Sequence, residues 1–266
     1  MRTIYKHRGE TLTLAATGSI DAPQIRVIPS WANLLTVHAP SATLENILLA
    51  FAPKIKKVYH FDASALGMLK WIDLTEPLLD RNTSRLATLT SLATADFVYV
   101  GFLRKTRGLF VDLTTVNAEV ATIAAANSIG NDAWATLTVT DGTITGGNTS
   151  LGEDGLITWT VPPSWKPMQL KLEDGTLTEN LFWVRFSWNV ALTATVTMDQ
   201  AGGLANLNLN GALEIVEGQD RILIRSNNDT LPPFEFPLDD WAGAIELTST
   251  GITSTALLNW YQVKEK

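Results

Sequence analysis

Cysteine is absent from the 266 residues of this chain, and histidine occurs only three times. Without cysteine there is no disulfide, thiolate metal site or cysteine nucleophile, so packing alone must stabilise the fold. The histidines are His7, His38 and His60, and none has a second histidine at metal-ligand spacing. Gly-x-Ser-x-Gly, the serine elbow of many hydrolases, is missing too. We therefore expect no histidine-based metal or catalytic site.

Long hydrophobic runs are also absent. The most apolar stretch, Ile47–Ala52, is far shorter than the roughly 20 residues that cross a bilayer, and Met1–Arg8 lacks the apolar core of a secretory signal. The formal charge is -7, and the only close basic cluster is Lys54, Lys56 and Lys57. We therefore expect no membrane partner, no direct contact with nucleic acid, and synthesis and assembly in the cytosol.

Short alternating segments separated by turn residues dominate the sequence and predict strands. These segments are Thr11–Leu14, Gln24–Ile28, Phe97–Val100, Leu109–Leu113, Trp134–Thr140, Leu156–Val161, Leu181–Trp188, Ala191–Met198, Arg221–Arg225, Ala244–Thr248 and Ala256–Val263. Gly142, Gly146 and Gly147 lie between extended runs, where tight turns favour glycine. The pattern predicts a mostly β fold built of antiparallel β-sandwich or jelly-roll modules.

Two segments leave the choice between helix and strand open. Ala42–Ala52 is compatible with a short helix, and Ala118–Ala126 is alanine-rich and helical by propensity. For the second segment a strand is favoured, because its neighbours on both sides are predicted strands and context often overrides propensity.

The chain divides into three segments by composition. A proline followed by lysines at Pro53–Lys57 and the glycines of Ala201–Gly203 mark the borders, which gives residues 1–56, 57–200 and 201–266. The central segment is predicted to form one β-sandwich. The outer segments are each too small to fold comfortably alone. We therefore expect them to pair into a second, smaller β module, with the central sandwich inserted between them.

Aromatic and turn residues follow a fixed order between Phe97 and Arg185. The chain reads Gly155-Leu156-Ile157-Thr158-Trp159, then Pro162-Pro163-Ser164-Trp165, then Phe182-Trp183-Val184-Arg185. This order resembles a β-sandwich module of structural proteins from tailed bacteriophages, with the runs Gly-x-Ile-x-Trp, Pro-x-x-Trp and Tyr-Trp-Val-Arg. Here Phe182 stands in place of the tyrosine. The resemblance extends from Val58 to Met198.

That resemblance implies a non-enzymatic virion protein, with a capsid decoration (cement) protein that stabilises or decorates the head as the first expectation. Its partner would be the major capsid protein or another virion protein, and the chain would form a homo-oligomer, with a trimer favoured. Two alternatives stay open: a tail, neck or baseplate structural protein, and a carbohydrate-binding adhesin or fibre protein. No catalytic, cofactor-binding or metal-ligating residue is predicted.

The motif tryptophans and Arg185 have a structural explanation. Trp159, Trp165 and Trp183 are expected to close one end of the sandwich, with acceptors for their indole N–H groups nearby. Arg185 follows Trp183 by two residues and should share its face of the strand. There it either stacks on an indole or pairs with a carboxylate such as Asp141. Structural support is favoured over ligand contact.

Acidic residues offer weak candidates for chemistry. The candidates are the pairs Asp62 with Asp73, Glu153 with Asp154 and Asp239 with Asp240, and for calcium Asp141, Asn148, Glu153 and Asp154. A glycosidase needs two carboxyl groups on either side of a sugar-binding cleft, and a dedicated calcium loop has a regular spacing that is missing here. Turn chemistry is favoured for all of these residues.

Three further features are candidate interfaces. The tryptophans near prolines or loops are Trp31, Trp71 and Trp241, for which packing or a protein interface is favoured over glycan contact. Phe234 and Phe236 alternate between prolines, so this segment is either an edge strand packed on its own core or one that meets a neighbouring subunit. Met1–Arg8 is either a basic arm that grips an acidic surface or, as favoured, an edge strand.

Overall fold

The computed structural model describes residues 2–14, 24–39, 46–79, 85–90, 92–193, 195–205, 222–225, 233–238, 240–249 and 253–265. The first strands in chain order are β1 (Arg2–Leu14), β2 (Gln24–Val27), β3 (Leu34–His38), β4 (Asn46–Pro53), β5 (Ile55–Phe61), β6 (Trp71–Asp73), β7 (Ala87–Thr90), β8 (Phe97–Phe102), β9 (Gly108–Thr115) and β10 (Ile123–Gly130). The remaining strands are β11 (Ala133–Leu137), β12 (Thr140–Asp141), β13 (Gly155–Thr158), β14 (Phe182–Trp188), β15 (Thr195–Gly203), β16 (Ile222–Arg225), β17 (Phe234–Pro237), β18 (Ala242–Ser249) and β19 (Ser254–Glu265).

Helix is confined to two short pieces of this described part. A 3-10 helix covers Gly67–Lys70 and α1 covers Thr75–Leu79. Within the same ranges, no helix has the length and apolarity needed to cross a membrane. The prediction of a mostly β, antiparallel fold is confirmed, and each predicted strand overlaps an observed one.

Two compact units make up the chain. We call residues 53–206 the central module, and residues 1–52 with 207–266 the terminal module. The sequence placed the borders at 56/57 and 200/201. In the structure β15 runs on through Gly203, and both Gly202 and Gly203 lie where a side chain would not fit. A Cβ atom on Gly202 would collide with the Phe110 ring, and one on Gly203 would lie 2.6 Å from the carbonyl oxygen of Pro53.

The central module is a sandwich of two sheets. One sheet has the strand order β11-β10-β14-β8-β5-β6, and the other β12-β13-β9-β15-β7. Alternate side chains of each strand point into the space between the sheets, where they form one apolar cluster. Its members include Val100, Phe102, Val184, Phe186, Val111, Ile157, Val196 and Met198. The side chains on the other side of the six-stranded sheet are therefore left to form a second, outer surface.

The terminal module also has two sheets, with the strand orders β1-β19-β3-β17 and β16-β4-β18-β2. β1 pairs with β19 from Arg2 opposite Glu265 to Leu14 opposite Ser254, so the first and last segments of the chain share a sheet. The core between the sheets includes Leu35, Val37, Ile47, Leu49, Ile245, Leu247, Leu258 and Trp260.

The helix considered for Ala42–Ala52 is wrong over the described residues. Asn46–Pro53 is strand β4, which lies between β16 and β18, and Ile47 and Leu49 are fully buried on its core-facing side. A central strand position satisfies both edges of the backbone and buries the alternating apolar groups, which outweighs local helical propensity. In Ala118–Ala126 the favoured strand is confirmed from Ile123 onward, as β10.

The predicted glycine turn is confirmed as well. Thr145 and Thr149 pair across a tight turn, in which Gly147 has φ 102° and Asn148 has φ 73°. Both angles lie in the left-handed region, which glycine adopts freely and asparagine tolerates better than most residues.

Candidate functional site

Aromatic side chains cover the outer face of the six-stranded sheet. They occupy alternate positions of their strands, opposite to the positions that face the sandwich core. The members of this outer aromatic face are Tyr59 and Phe61 of β5, Trp71 of β6, Phe97 and Tyr99 of β8, Trp134 of β11 and Arg185 of β14. Phe61, Trp71, Phe97 and Trp134 are only partly buried. The outer aromatic face therefore presents ring surface to the outside.

The rings form a continuous row across the strands. The ring centroids of Phe61 and Trp71 are 4.9 Å apart, those of Trp71 and Tyr99 5.2 Å, and those of Tyr99 and Trp134 5.6 Å. The rings are tilted or edge-on to one another, which suits the aromatic quadrupole. Buried Met168, Leu170 and Leu181, from the segment before β14, pack in the same cluster and cover part of this row.

Arg185 lies between two of these rings. Its guanidinium carbon is 4.6 Å from the Trp134 ring centroid and 4.9 Å from that of Phe97. Burial raises the pKa of the Tyr99 hydroxyl, against the effect of a hydrogen bond and the positive charge from Arg185. Of the two partners considered for Arg185, the indole is confirmed, while Asp141 instead accepts hydrogen bonds from the N–H and hydroxyl of Thr143.

Each motif tryptophan finds an indole acceptor in the backbone, as predicted. Trp159 donates to the carbonyl of Thr106 at 2.8 Å, Trp165 to the carbonyl of Trp183 at 3.1 Å, and Trp183 to the carbonyl of Met168 at 2.8 Å. Trp183 does not join the other two, however. It packs on the outer side of the sheet, whereas Trp159 and Trp165 lie in the sandwich core. Successive side chains of a strand point to opposite sides of the sheet. Because Val184 points into the sandwich core, its neighbour Trp183 points outward.

An exposed apolar segment precedes Trp71, and no pattern in the sequence pointed to it. Leu66 is 82% exposed, Leu69 75% and Met68 47%. We call these three residues the apolar turn. The 3-10 helix that carries Met68 and Leu69 has no buried residue. Apolar side chains in a strand-rich sequence would normally be assigned to a core, so only the structure reveals that these face outward.

Two aspartates hold the apolar turn in place. Asp62 accepts hydrogen bonds from the N–H and hydroxyl of Ser64 at 2.8 and 2.6 Å, and its own N–H donates to the carbonyl of Lys70 at 2.8 Å. Those Ser64 hydrogen bonds lower the pKa of the Asp62 carboxyl. Buried Asp96 accepts from the N–H groups of Ala63 and Ala93 at 2.9 and 2.8 Å. Hydrogen bonds within the chain therefore order the turn.

The histidines are spread over both modules. His7 donates a hydrogen bond to Asn259 at 3.0 Å, and His38 lies half-buried in β3. His60 is buried, with its Nε2 3.9 Å from a carboxylate oxygen of Asp96, beyond hydrogen-bond distance. Burial lowers the pKa of His60, and the Asp96 charge only partly offsets this.

Asp73 and Asp154, two of the candidate acids, have local partners. Asp73 forms an ion pair with Lys57 at 2.8 Å. Burial alone would raise the pKa of the Asp73 carboxyl, but Lys57 and the hydrogen bonds from Thr75 outweigh burial, so that this pKa is lowered. Asp154 accepts from the N–H of Leu113 at 2.7 Å. Glu153, Asn148 and Asp240 are exposed, and Asp239 lies outside the described residues. Across the described ranges, no group of three histidine or acidic residues is placed to hold a metal ion.

The tryptophans singled out near prolines or loops all pack. Trp31 and Trp241 lie partly buried against the core of the terminal module, with the Lys6 ammonium 4.5 Å from the Trp31 ring. Trp71 belongs to the outer aromatic face. Met1–Arg8 lies in edge strand β1 from Arg2 onward, which confirms the favoured alternative.

Phe234 and Phe236 lie in edge strand β17 and have different environments. Phe236 is half-buried, with its ring 6.1 Å from that of Phe51. Phe234 is 39% exposed. The segment is thus an edge strand that packs on its own core through Phe236, while Phe234 remains exposed.

Comparisons with known proteins add little. No family model matches the chain, and no curated protein matches it. A chain in the solved structure of infectious bursal disease virus Gx strain matches at 9% sequence identity with a TM-score of 0.14, over 98% of this chain and 83% of that chain. A likeness with so low a TM-score carries no argument about fold or function.

Proposed function

We propose that this chain is a non-enzymatic virion structural protein of a tailed bacteriophage, a capsid decoration protein that binds the head through its apolar turn. It assembles in the host cytoplasm, and its partner is the major capsid protein or another virion protein. The proposal rests on the exposure of Leu66 and Leu69, taken together with the motif resemblance between Gly155 and Arg185.

The apolar turn has the properties of a docking element. Full burial of one leucine side chain is worth about 1.5–3 kcal/mol. Because hydrogen bonds that Asp62 and Asp96 accept already order the segment, a partner does not have to meet the entropic cost of ordering it. A contact of this size is small for an isolated pair, but repeated on every subunit of a lattice it becomes strong through avidity.

The motif residues support a structural role. The indoles of Trp159, Trp165 and Trp183 are buried and bonded to the backbone of their own module. Arg185 is engaged by the rings of Phe97 and Trp134. The residues that carry the resemblance are thus used to build the sandwich, as expected for a scaffold.

Binding to purified empty phage heads tests the proposal. The wild-type chain should add in a saturable ratio, and Leu66→Ser/Leu69→Ser should weaken binding by about 100-fold or more. The matched control is Val116→Ser/Val120→Ser, which alters two valines that are 45% and 61% exposed in the same module and should bind like wild type.

The outcomes separate the alternatives. Equal loss of binding in the control would contradict a specific role for the apolar turn. Absence of head binding together with incorporation into tails, necks or baseplates would replace the decoration function with the tail alternative. Absence of both would contradict a virion role.

The outer aromatic face favours carbohydrate binding as a second candidate function. The partly buried rings of Phe61, Trp71, Phe97 and Trp134 lie on the same face as the Arg185 guanidinium. Apolar surface is thus combined with a hydrogen-bond donor, as in binding sites for small polar ligands. Binding of the isolated chain to host surface glycans, with loss on Trp71→Ala and retention in Leu66→Ser/Leu69→Ser, would establish this function. Lack of binding to any glycan extracted from the host would remove it.

A further inference from the structure

The β1-β19-β3-β17 sheet of the terminal module has a basic apolar edge. The outer half of β1 is exposed on both faces, and Ile4 and Tyr5 are each 59% exposed. The Lys264 ammonium lies 5.0 Å from the Tyr5 ring centroid, and Lys6 and Arg8 are exposed on the same strand. The basic patch consists of Ile4, Tyr5, Lys6, Arg8 and Lys264. One of its cations, Arg8, also pairs with Glu10 at 3.1 Å.

Among the described residues, the opposite edge of the same sheet and the turn after it carry exposed carboxylates. β17 forms this edge, where Phe234 is 39% exposed and Glu235 is exposed beside it. Asp240 is exposed in the turn that follows. The acidic patch consists of Phe234, Glu235 and Asp240. Each edge therefore combines apolar surface with charge, and the two charges have opposite signs.

Charge decides which edges can meet. A long exposed edge strand is a template for pairing with another chain, and charged side chains restrict what it pairs with. Two β1 edges brought together would place cations opposite cations, which is destabilising. A β1 edge against a β17 edge places cations opposite carboxylates and buries Ile4 and Tyr5 against Phe234.

We propose that copies of this chain associate edge to edge, with the basic patch of one copy against the acidic patch of the next. Because the two patches differ, the contact is heterologous, and it closes into a ring when the rotation between copies allows. Pro237 has no N–H and β17 is only four residues long, so side chains make most of this contact. The proposal does not depend on the proposed function, because it concerns the isolated chain.

Charge reversal tests the proposal on the full-length protein, with molar mass measured by light scattering and sedimentation. Wild type should self-associate at about 0.05 M salt and less at about 1 M, where the screening length falls to about 3 Å. Lys6→Glu/Lys264→Glu and Glu235→Lys/Asp240→Lys should each raise the dissociation constant at least about tenfold. The variant with all four reversals should associate again, because complementarity is restored with the signs exchanged.

Controls separate association from folding and from head binding. Lys166→Glu/Lys171→Glu reverses two exposed cations of the central module and should associate like wild type. Circular dichroism identifies any variant that does not fold, for which Lys6→Gln/Lys264→Gln is the substitute. Leu66→Ser/Leu69→Ser should associate normally while losing head binding. A monomeric wild type, normal association of either double reversal, or failure of the fourfold variant to recover would each overturn the proposal.

Discussion

Arg185 stacks on Trp134 across the outer face of the six-stranded sheet, with the guanidinium carbon 4.6 Å from the ring centroid. The two residues lie on β14 and β11, which are separated by β10. The stack therefore ties non-adjacent strands together through side chains. It holds one end of the row of rings that forms the outer aromatic face.

Removing this stack should destabilise the central module. Arg185→Ala loses the contacts with Trp134 and Phe97 and should lower the free energy of unfolding by about 1–3 kcal/mol. Arg185→Lys should recover only part of this, because an ammonium has no planar face to stack. Urea denaturation measures both variants, with Lys166→Ala as an exposed control. Equal stability of the alanine variant and wild type would refute the role of the stack.

Gly155 of the resemblance motif should tolerate no side chain. A Cβ atom there would collide with the carbonyl of Gly142, a backbone atom that cannot turn away. Gly155→Ala should cost about 1–3 kcal/mol or more. Gly146→Ala is the matched control, since nothing lies within 4 Å of its Cβ position. Thermal unfolding compares the two variants, and similar melting temperatures would contradict the steric explanation.

His60 should make the central module less stable in acid. Its pKa is lowered in the folded state by burial, while the unfolded chain takes up a proton near the ordinary value of about 6.5. Below about pH 6.5 the unfolded state therefore binds more protons, and stability falls as the pH decreases toward the folded-state pKa. His60→Leu removes the titrating group, so its free energy of unfolding should change less between about pH 7 and pH 5. An unchanged pH slope in this variant would count against the prediction.

Asp96 should control the order of the apolar turn. In Asp96→Asn one carboxylate oxygen becomes an NH2 group that faces an N–H donor, either of Ala63 or of Ala93, so one buried hydrogen bond is lost. We expect a loss of about 1–3 kcal/mol. Hydrogen exchange at Ala63 should accelerate, and head binding should weaken although Leu66 and Leu69 are intact. Unchanged exchange at Ala63 would show that the turn is ordered by other contacts.

The local sequence pattern determined much of the secondary structure of this protein. A period of two identifies a strand and its two faces from neighbouring residues alone, so the mostly β fold and the overlap with each predicted strand followed from the sequence. The turn around Gly147 and Asn148 followed in the same way, since the backbone angle needed there restricts the residue type. The need of buried indoles for acceptors, and of Arg185 for a stacking partner, is likewise a property of the residue itself.

Long-range contacts decided the rest. Alternation does not say which face of a strand meets the core, so the separation of Trp183 from Trp159 and Trp165 appeared only in the folded sheet. Ile47–Ala52 became a strand because β16 and β18 flank it. The exposure of Leu66 and Leu69 had no local signal, because an apolar side chain has the same sequence letter inside a core and on a docking surface, and only the surrounding atoms distinguish the two.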